Sequence, residues 1–182
     1  MRTRYCLFAL TLAASLAVSS GCRGRHQRTA VQNEEPPAPA VRQIESTVKM
    51  SDPAAQAQLI KGIYGIEVGS WRWTAGHFSI LLRPPLGSAQ SGATLSLALT
   101  VPEVIFRKLG PLTLTASAGG TRIKTEKYAK SGSYTFGADV PGSLLAGDSV
   151  TFDFDLDKSL PPTGSDSREL GLIVSAVSLE SK

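Results

Sequence analysis

Two cysteines are all that this 182-residue chain contains, and both fall within its first 22 residues. From Arg23 to Lys182 there is no thiol, which excludes disulfides, cysteine-built zinc sites and thiol redox chemistry there. A fold in that stretch must be held by its core alone. Histidine is as scarce, with His26 and His77 only. No segment resembles a nucleophile elbow, so no Ser-His-Asp set is legible and an enzyme is not expected. The uncharged run near the N-terminus is about fifteen residues at most, short of the roughly 18 to 20 needed to cross a bilayer. A basic surplus is missing too where it would matter. The formal net charge is +4, yet from Gly62 onward basic and acidic residues balance at eleven each. Without a basic face on a folded domain, nucleic acid is not an expected partner.

What is present begins with a targeting segment. Arg2 and Arg4 precede an apolar stretch through Leu7-Phe8-Ala9-Leu10 to Leu16-Ala17-Val18, closed by the small residues Ser19-Ser20-Gly21. A cysteine then follows at once. This arrangement resembles the lipobox of bacterial lipoproteins, with Ser19 where that family usually has Leu. The resemblance implies a signal peptide over residues 1–21 and a diacylglycerol, with palmitate-type acylation, on Cys22. Arg23 stands where the inner-membrane retention signal of the family is usually Asp, so the resemblance implies the outer membrane. The alternative is an ordinary secretory signal beside an uninvolved cysteine. Arg23, Arg25 and Arg28 either supplement attachment to an anionic surface, at about 1 kcal/mol each, or simply begin a soluble linker.

Residues 22–50 are expected to be a disordered tether. Glu34-Glu35-Pro36-Pro37-Ala38-Pro39-Ala40 combines charge and proline and has nothing to bury. The domain is expected over residues 51–182. It opens on a short helix signal, with Asp52 to cap, Pro53 at the first position, Ala54 to Lys61 as formers and Gly62 as the stop, docked by Leu59 and Ile60. From Ile63 the period changes to two. Thr94 to Val101 and Ser149 to Asp157 alternate without a break, and Leu112 to Ala116 and Tyr134 to Val140 are shorter versions. Turn signals such as Gly119-Gly120, Ser131-Gly132 and Pro141-Gly142 separate them. The pattern predicts an all-β fold, an antiparallel β-sandwich of jelly-roll type. Glu103 to Leu109 suits a helical turn. Leu170 to Val174 suits a strand buried on both faces, with Gly171 at a close backbone approach.

Three constellations bear on chemistry. Asp153, Asp155 and Asp157 match the opening of a calcium loop, but Lys158 and Gly164 stand where that loop needs Gly and Glu. The intervening Phe154 and Leu156 demand a strand, so a solvated outer face is expected and no metal or other cofactor. Trp71-Arg72-Trp73 places two indoles on one side of an extended segment and Arg72 on the other. The indoles either stack on sugar rings or plug the core. Finally, Tyr64-Gly65-Ile66-Glu67, Arg72-Trp73, Leu82-Arg83-Pro84-Pro85, Val140-Pro141 and Asp166-x-Arg168-Glu169-Leu170-Gly171-Leu172 together resemble a small β-sandwich module found beside bacterial glycosyltransferases and in envelope proteins. That resemblance implies a glycan or envelope context. It also implies that Glu67, Arg72, Trp73, Asp166 and Arg168 meet, as a buried ion-pair and cation–π cluster or as a sugar site.

These readings lead to a lipid-anchored, non-enzymatic envelope protein that binds carbohydrate or assists glycan assembly. The alternative is a scaffold lipoprotein with an envelope protein as partner. A hydrolase would have to use His77 or the Asp153, Asp155 and Asp157 carboxylates.

Overall fold

Alternation of apolar and polar residues sets the inner face of Ala93–Val101, Leu112–Ala118 and Val150–Leu156. The computed structural model describes residues 43–182; the expected signal peptide, Cys22 and the Pro-rich stretch lie outside them. Nine strands follow in chain order: β1 (Thr47–Lys49), β2 (Leu59–Glu67), β3 (Trp71–Leu82), β4 (Ala93–Val101), β5 (Leu112–Ala118), β6 (Thr121–Tyr128), β7 (Gly132–Val140), β8 (Val150–Leu156) and β9 (Ile173–Ser181). Two short helices, α1 (Ser88–Ser91) and α2 (Glu103–Leu109), lie between them, as do 3₁₀ turns at Pro53–Gln58 and Gly142–Leu144.

Every strand pairing is antiparallel. One layer is β7-β4-β9, with β1 added to β9; the other is β6-β5-β8-β3, with β2 added to β3. β3 joins them. Its half from His77 to Leu82 pairs with β8, and Arg72 and Trp73 at its start pair with Val174 and Ile173 of β9. At the far side β6 approaches β7, where the Lys124 ammonium donates to the Gly137 carbonyl at 2.6 Å. The result is the antiparallel sandwich that the period predicts, nearly closed on itself.

The inner faces are the alternating positions. Leu95, Leu97, Leu99 and Val101 of β4 meet Val174, Val177 and Leu179 of β9, all buried. Phe154 of β8 stacks on Phe78 at 4.8 Å and lies edge-on to Phe136 at 6.4 Å. Each such side chain contributes roughly 1.5–3 kcal/mol by leaving water. The Glu103–Leu109 helix forms as expected, after Pro102 and before Gly110.

Three expectations need correction. The helix predicted to run to Lys61 is a six-residue 3₁₀ helix ending at Gln58. Asp52 does cap it, accepting from the Ala54 amide at 2.8 Å, but Leu59 already pairs with Ile80 of β3. Sheet pairing there outweighs helix propensity. Leu59 is buried, whereas strand alternation turns Ile60 outward, 55% exposed. Gly62 is no helix stop. It sits mid-strand at φ +67°, where a Cβ would lie 2.0 Å from the His77 carbonyl oxygen.

The second correction concerns the boundary between tether and domain. Thr47 to Lys49 pair with Ser178 to Ala176, and Met50 is fully buried, so the sandwich begins before residue 51. The third concerns Leu170 to Val174. Leu170 makes an isolated bridge to Leu160, and β9 proper starts at Ile173, which is half-buried. Gly171 does mark a close approach: a Cβ would stand 2.6 Å from the Ala75 carbonyl oxygen.

Candidate functional site

The site begins at a hairpin tip. Val68 (φ 48°) and Gly69 (φ 66°) are the two left-handed residues of a tight turn that the Ser70 amide closes on the Glu67 carbonyl at 3.0 Å. A β-branched residue rarely takes that conformation, which costs on the order of 1–3 kcal/mol. Its side chain is 85% exposed, so no packing offsets the cost.

β3 leaves this turn with its even residues inward. Arg72, Thr74, Phe78, Ile80 and Leu82 are buried, and Trp71, Trp73 and His77 are half-buried on the outward side. The indoles of Trp71 and Trp73 form an edge-to-face pair, centroids 6.1 Å apart and planes at 81°. Trp73 packs in part against the core. Both rings are therefore partly covered, Trp73 in part by the core, and neither is fully buried.

Glu67, whose backbone pairs with that of Trp71, is met by Arg168 from the long segment between β8 and β9. Its guanidinium donates to Glu67 Oε1 at 2.9 Å and to both oxygens of Asp166, at 3.0 and 2.9 Å, and lies over the Tyr64 ring at 5.4 Å. These hydrogen bonds, first from the Arg168 side chain and then from its backbone amide, hold the Asp166 carboxyl down at about 2. About a third of each of these three charged side chains remains exposed, so solvent screens the pairs. The five-residue buried set implied by resemblance is thus corrected in composition and depth. Glu67, Asp166 and Arg168 meet, Tyr64 joins them, and neither Arg72 nor Trp73 makes a hydrogen bond, ion pair or cation–π contact with them.

Arg72 is instead 2% exposed on the inner side. Its Nε donates to Met50 O at 3.0 Å, its Nη1 to Gln56 Oε1 at 3.0 Å and Tyr64 O at 3.1 Å, and its Nη2 to Asp52 O at 3.4 Å. Burial pushes its pKa down, and the Asp52 charge opposes the shift.

Further along the outward side of β3, pairing with β8 sets His77 opposite Asp155 and Ser79 opposite Asp153. His77 Nδ1 is 2.5 Å from Asp155 Oδ1, and Ser79 Oγ donates to Asp153 Oδ1 at 2.6 Å. Asp157 accepts from the Thr113 amide at 2.7 Å. His77 Nε2 also stands 3.9 Å from Asp153 Oδ1, so the imidazole lies between two carboxylates. Among the described residues no group of His, Cys, Asp and Glu is placed to hold a metal ion. Ser79 is turned to Asp153 and not to the imidazole, so these side chains do not make a nucleophile–base pair.

Tyr64 belongs to the sequence motif, yet its place in the cluster is not among the expectations. An aromatic three positions before Glu67 and four before the turn was the available signal. The His77–Asp155 and Ser79–Asp153 pairs had none, because they depend on which strand lies beside β3.

No family model matches this sequence, and no curated protein matches it. Among solved structures, the chain is similar to an acetyl xylan esterase from the rumen bacterium Butyrivibrio proteoclasticus, at 9% identity and TM-score 0.42, over 76% of this chain and 33% of that one. The chain therefore spans about a third of the esterase. It is also similar to a carbohydrate-binding module described for specific mannan recognition, at 13% identity and TM-score 0.41, over 76% of this chain and 97% of the module. A third likeness, to a CBM4 structure, has 11% identity and TM-score 0.34, over 75% of this chain and 85% of the other. Likenesses this distant carry no function across to this chain.

Proposed function

We propose that this protein is a non-catalytic carbohydrate-binding module, held in the cell envelope by a lipid on Cys22. The observation that carries the glycan reading is the half-buried, edge-to-face pair of Trp71 and Trp73 on the outward side of β3. A pyranose offers an apolar face of C–H groups and a rim of hydroxyls, and an indole meets the first with its π face and the second with its N–H. Planes at 81° give one ring as floor and the other as wall. Such a corner suits a single sugar chain; a flat polymer surface would call for coplanar rings. The same side of the sheet continues into His77, Asp153 and Asp155, whose oxygens and nitrogens can pair with hydroxyls.

Titrating the protein, purified from Arg23 onward, with soluble cell-wall and surface polysaccharides should change tryptophan fluorescence. Trp71→Ala and Trp73→Ala should each remove the response while leaving the melting curve two-state. No response to any polysaccharide would sink the reading. The anchor is tested separately. Cys22→Ala should move the protein from the membrane pellet to the soluble fraction, and unchanged sedimentation would count against a lipid on that thiol.

The scaffold reading has its own surface at the opposite end of β3. Leu86 is fully exposed beside a cleft of about 530 Å³ that includes Arg83, Leu145 and Asp148. Cross-linking through Leu86 would then capture one defined envelope protein in cells.

A further inference from the structure

Arg72 lies between the two tryptophans in the chain and points through the strand to its other side. Three of its four hydrogen bonds go to one short stretch, at Met50, Asp52 and Gln56. Every acceptor is neutral, a backbone carbonyl or a side-chain amide oxygen, and among the described residues no carboxylate forms an ion pair with it.

The same stretch is latched at the other end of β3. Gln58 Nε2 donates to Leu81 O at 2.7 Å and to Glu45 O at 2.9 Å, and Gln58 Oε1 accepts from the Glu45 amide at 3.1 Å. Residues 50–58, between β1 and β2, therefore form a strap tied to β3 near Arg72 and near Leu81. The Met50 amide adds a bond to Ser175 O at 2.9 Å.

A buried guanidinium is tolerated while its donors are satisfied and is costly when they are not. With the strap away, Arg72 would keep the Tyr64 carbonyl alone of its four acceptors. The side chain would then have to turn toward water, and β3 would rotate with it at the residue between the indoles. We infer that Arg72 is a positioning residue for the Trp71–Trp73 pair, and that docking of the strap and the geometry of the pair are coupled through it. Applied to ligand, the inference rests on the glycan reading; the link between strap and indoles stands without it. Coupling of this kind is reciprocal. A sugar that requires the 81° corner stabilises the docked strap, and loosening the strap weakens the sugar.

The test compares the whole protein with Gln56→Ala, which removes one acceptor and leaves β3 untouched, and with Arg72→Lys, which keeps the charge but loses the fork. Three measurements are read together. These are amide hydrogen exchange over residues 50–58, the exciton-coupled circular dichroism that two indoles at this separation produce, and quenching of tryptophan emission by acrylamide. In Gln56→Ala, exchange should rise by about tenfold or more, the loss expected for one hydrogen bond to a charged group. The exciton signal should fall and quenching should rise with it, and Arg72→Lys should move all three further. Raised exchange with an unchanged exciton signal and unchanged quenching would overturn the coupling. Exchange unchanged in both variants would overturn the role of Arg72 as the latch. Linked changes in a protein that answers no polysaccharide would sustain the inference and sink the glycan reading alone.

Discussion

Val68 carries a conformational cost that nothing around it offsets. Its neighbour Gly69 takes the left-handed conformation freely, and a β-branched side chain does not. Val68→Asn should therefore stabilise the protein by about 1 kcal/mol, a rise in melting temperature of about 2–4 °C for a domain of this size. A thermal scan decides it, and a fall would show that the exposed methyl groups make a contact of their own. At Asp166 the prediction concerns pH. The folded carboxyl sits at about 2, below its ordinary 3.8, so its contribution to stability is fully present above about pH 4 and disappears as pH falls toward about 2. Wild type and Asp166→Asn should differ in melting temperature near neutrality and converge in acid. A difference that grew on acidification would contradict the assignment.

Elements differ in how openly the sequence announces them. β4 and β8 could be read at sight because every second residue is apolar and inward. β2 could not, since Leu59 to Glu67 carries three register irregularities against β3 and its alternation breaks at each. Gly62 shows the ambiguity well. A glycine after a lysine-tipped run reads as a helix end, and here it is a place where the strand passes hard against the His77 carbonyl. Gly62→Ala should accordingly destabilise by more than a helix-cap change would, by roughly 2 kcal/mol or more, measured by denaturant unfolding. β1 is three residues long and β6 mostly polar, so neither shows a period. At the site, the shared side of Trp71 and Trp73 follows from the period of two alone. Which side faces the core does not, because a charged residue is the usual outward choice. Arg72 is inward because carbonyls of a segment some twenty residues earlier surround it, and no local pattern encodes that.

At the scale of the molecule, the two layers share β3 as a corner, and on the opposite side β6 approaches β7 without pairing to it. The ammonium of Lys124 sits over the Phe136 ring at 5.1 Å and is bonded to the Gly137 carbonyl. Sheet rims of this kind are open invitations to foreign backbone, and here a single flexible amine occupies the acceptor that an intruding amide would seek. Lys124→Ala should leave the protein folded and shorten the lag before it clouds on warming, followed by light scattering. The protein would thus owe its resistance to self-association, in part, to one lysine acting as a doorstop.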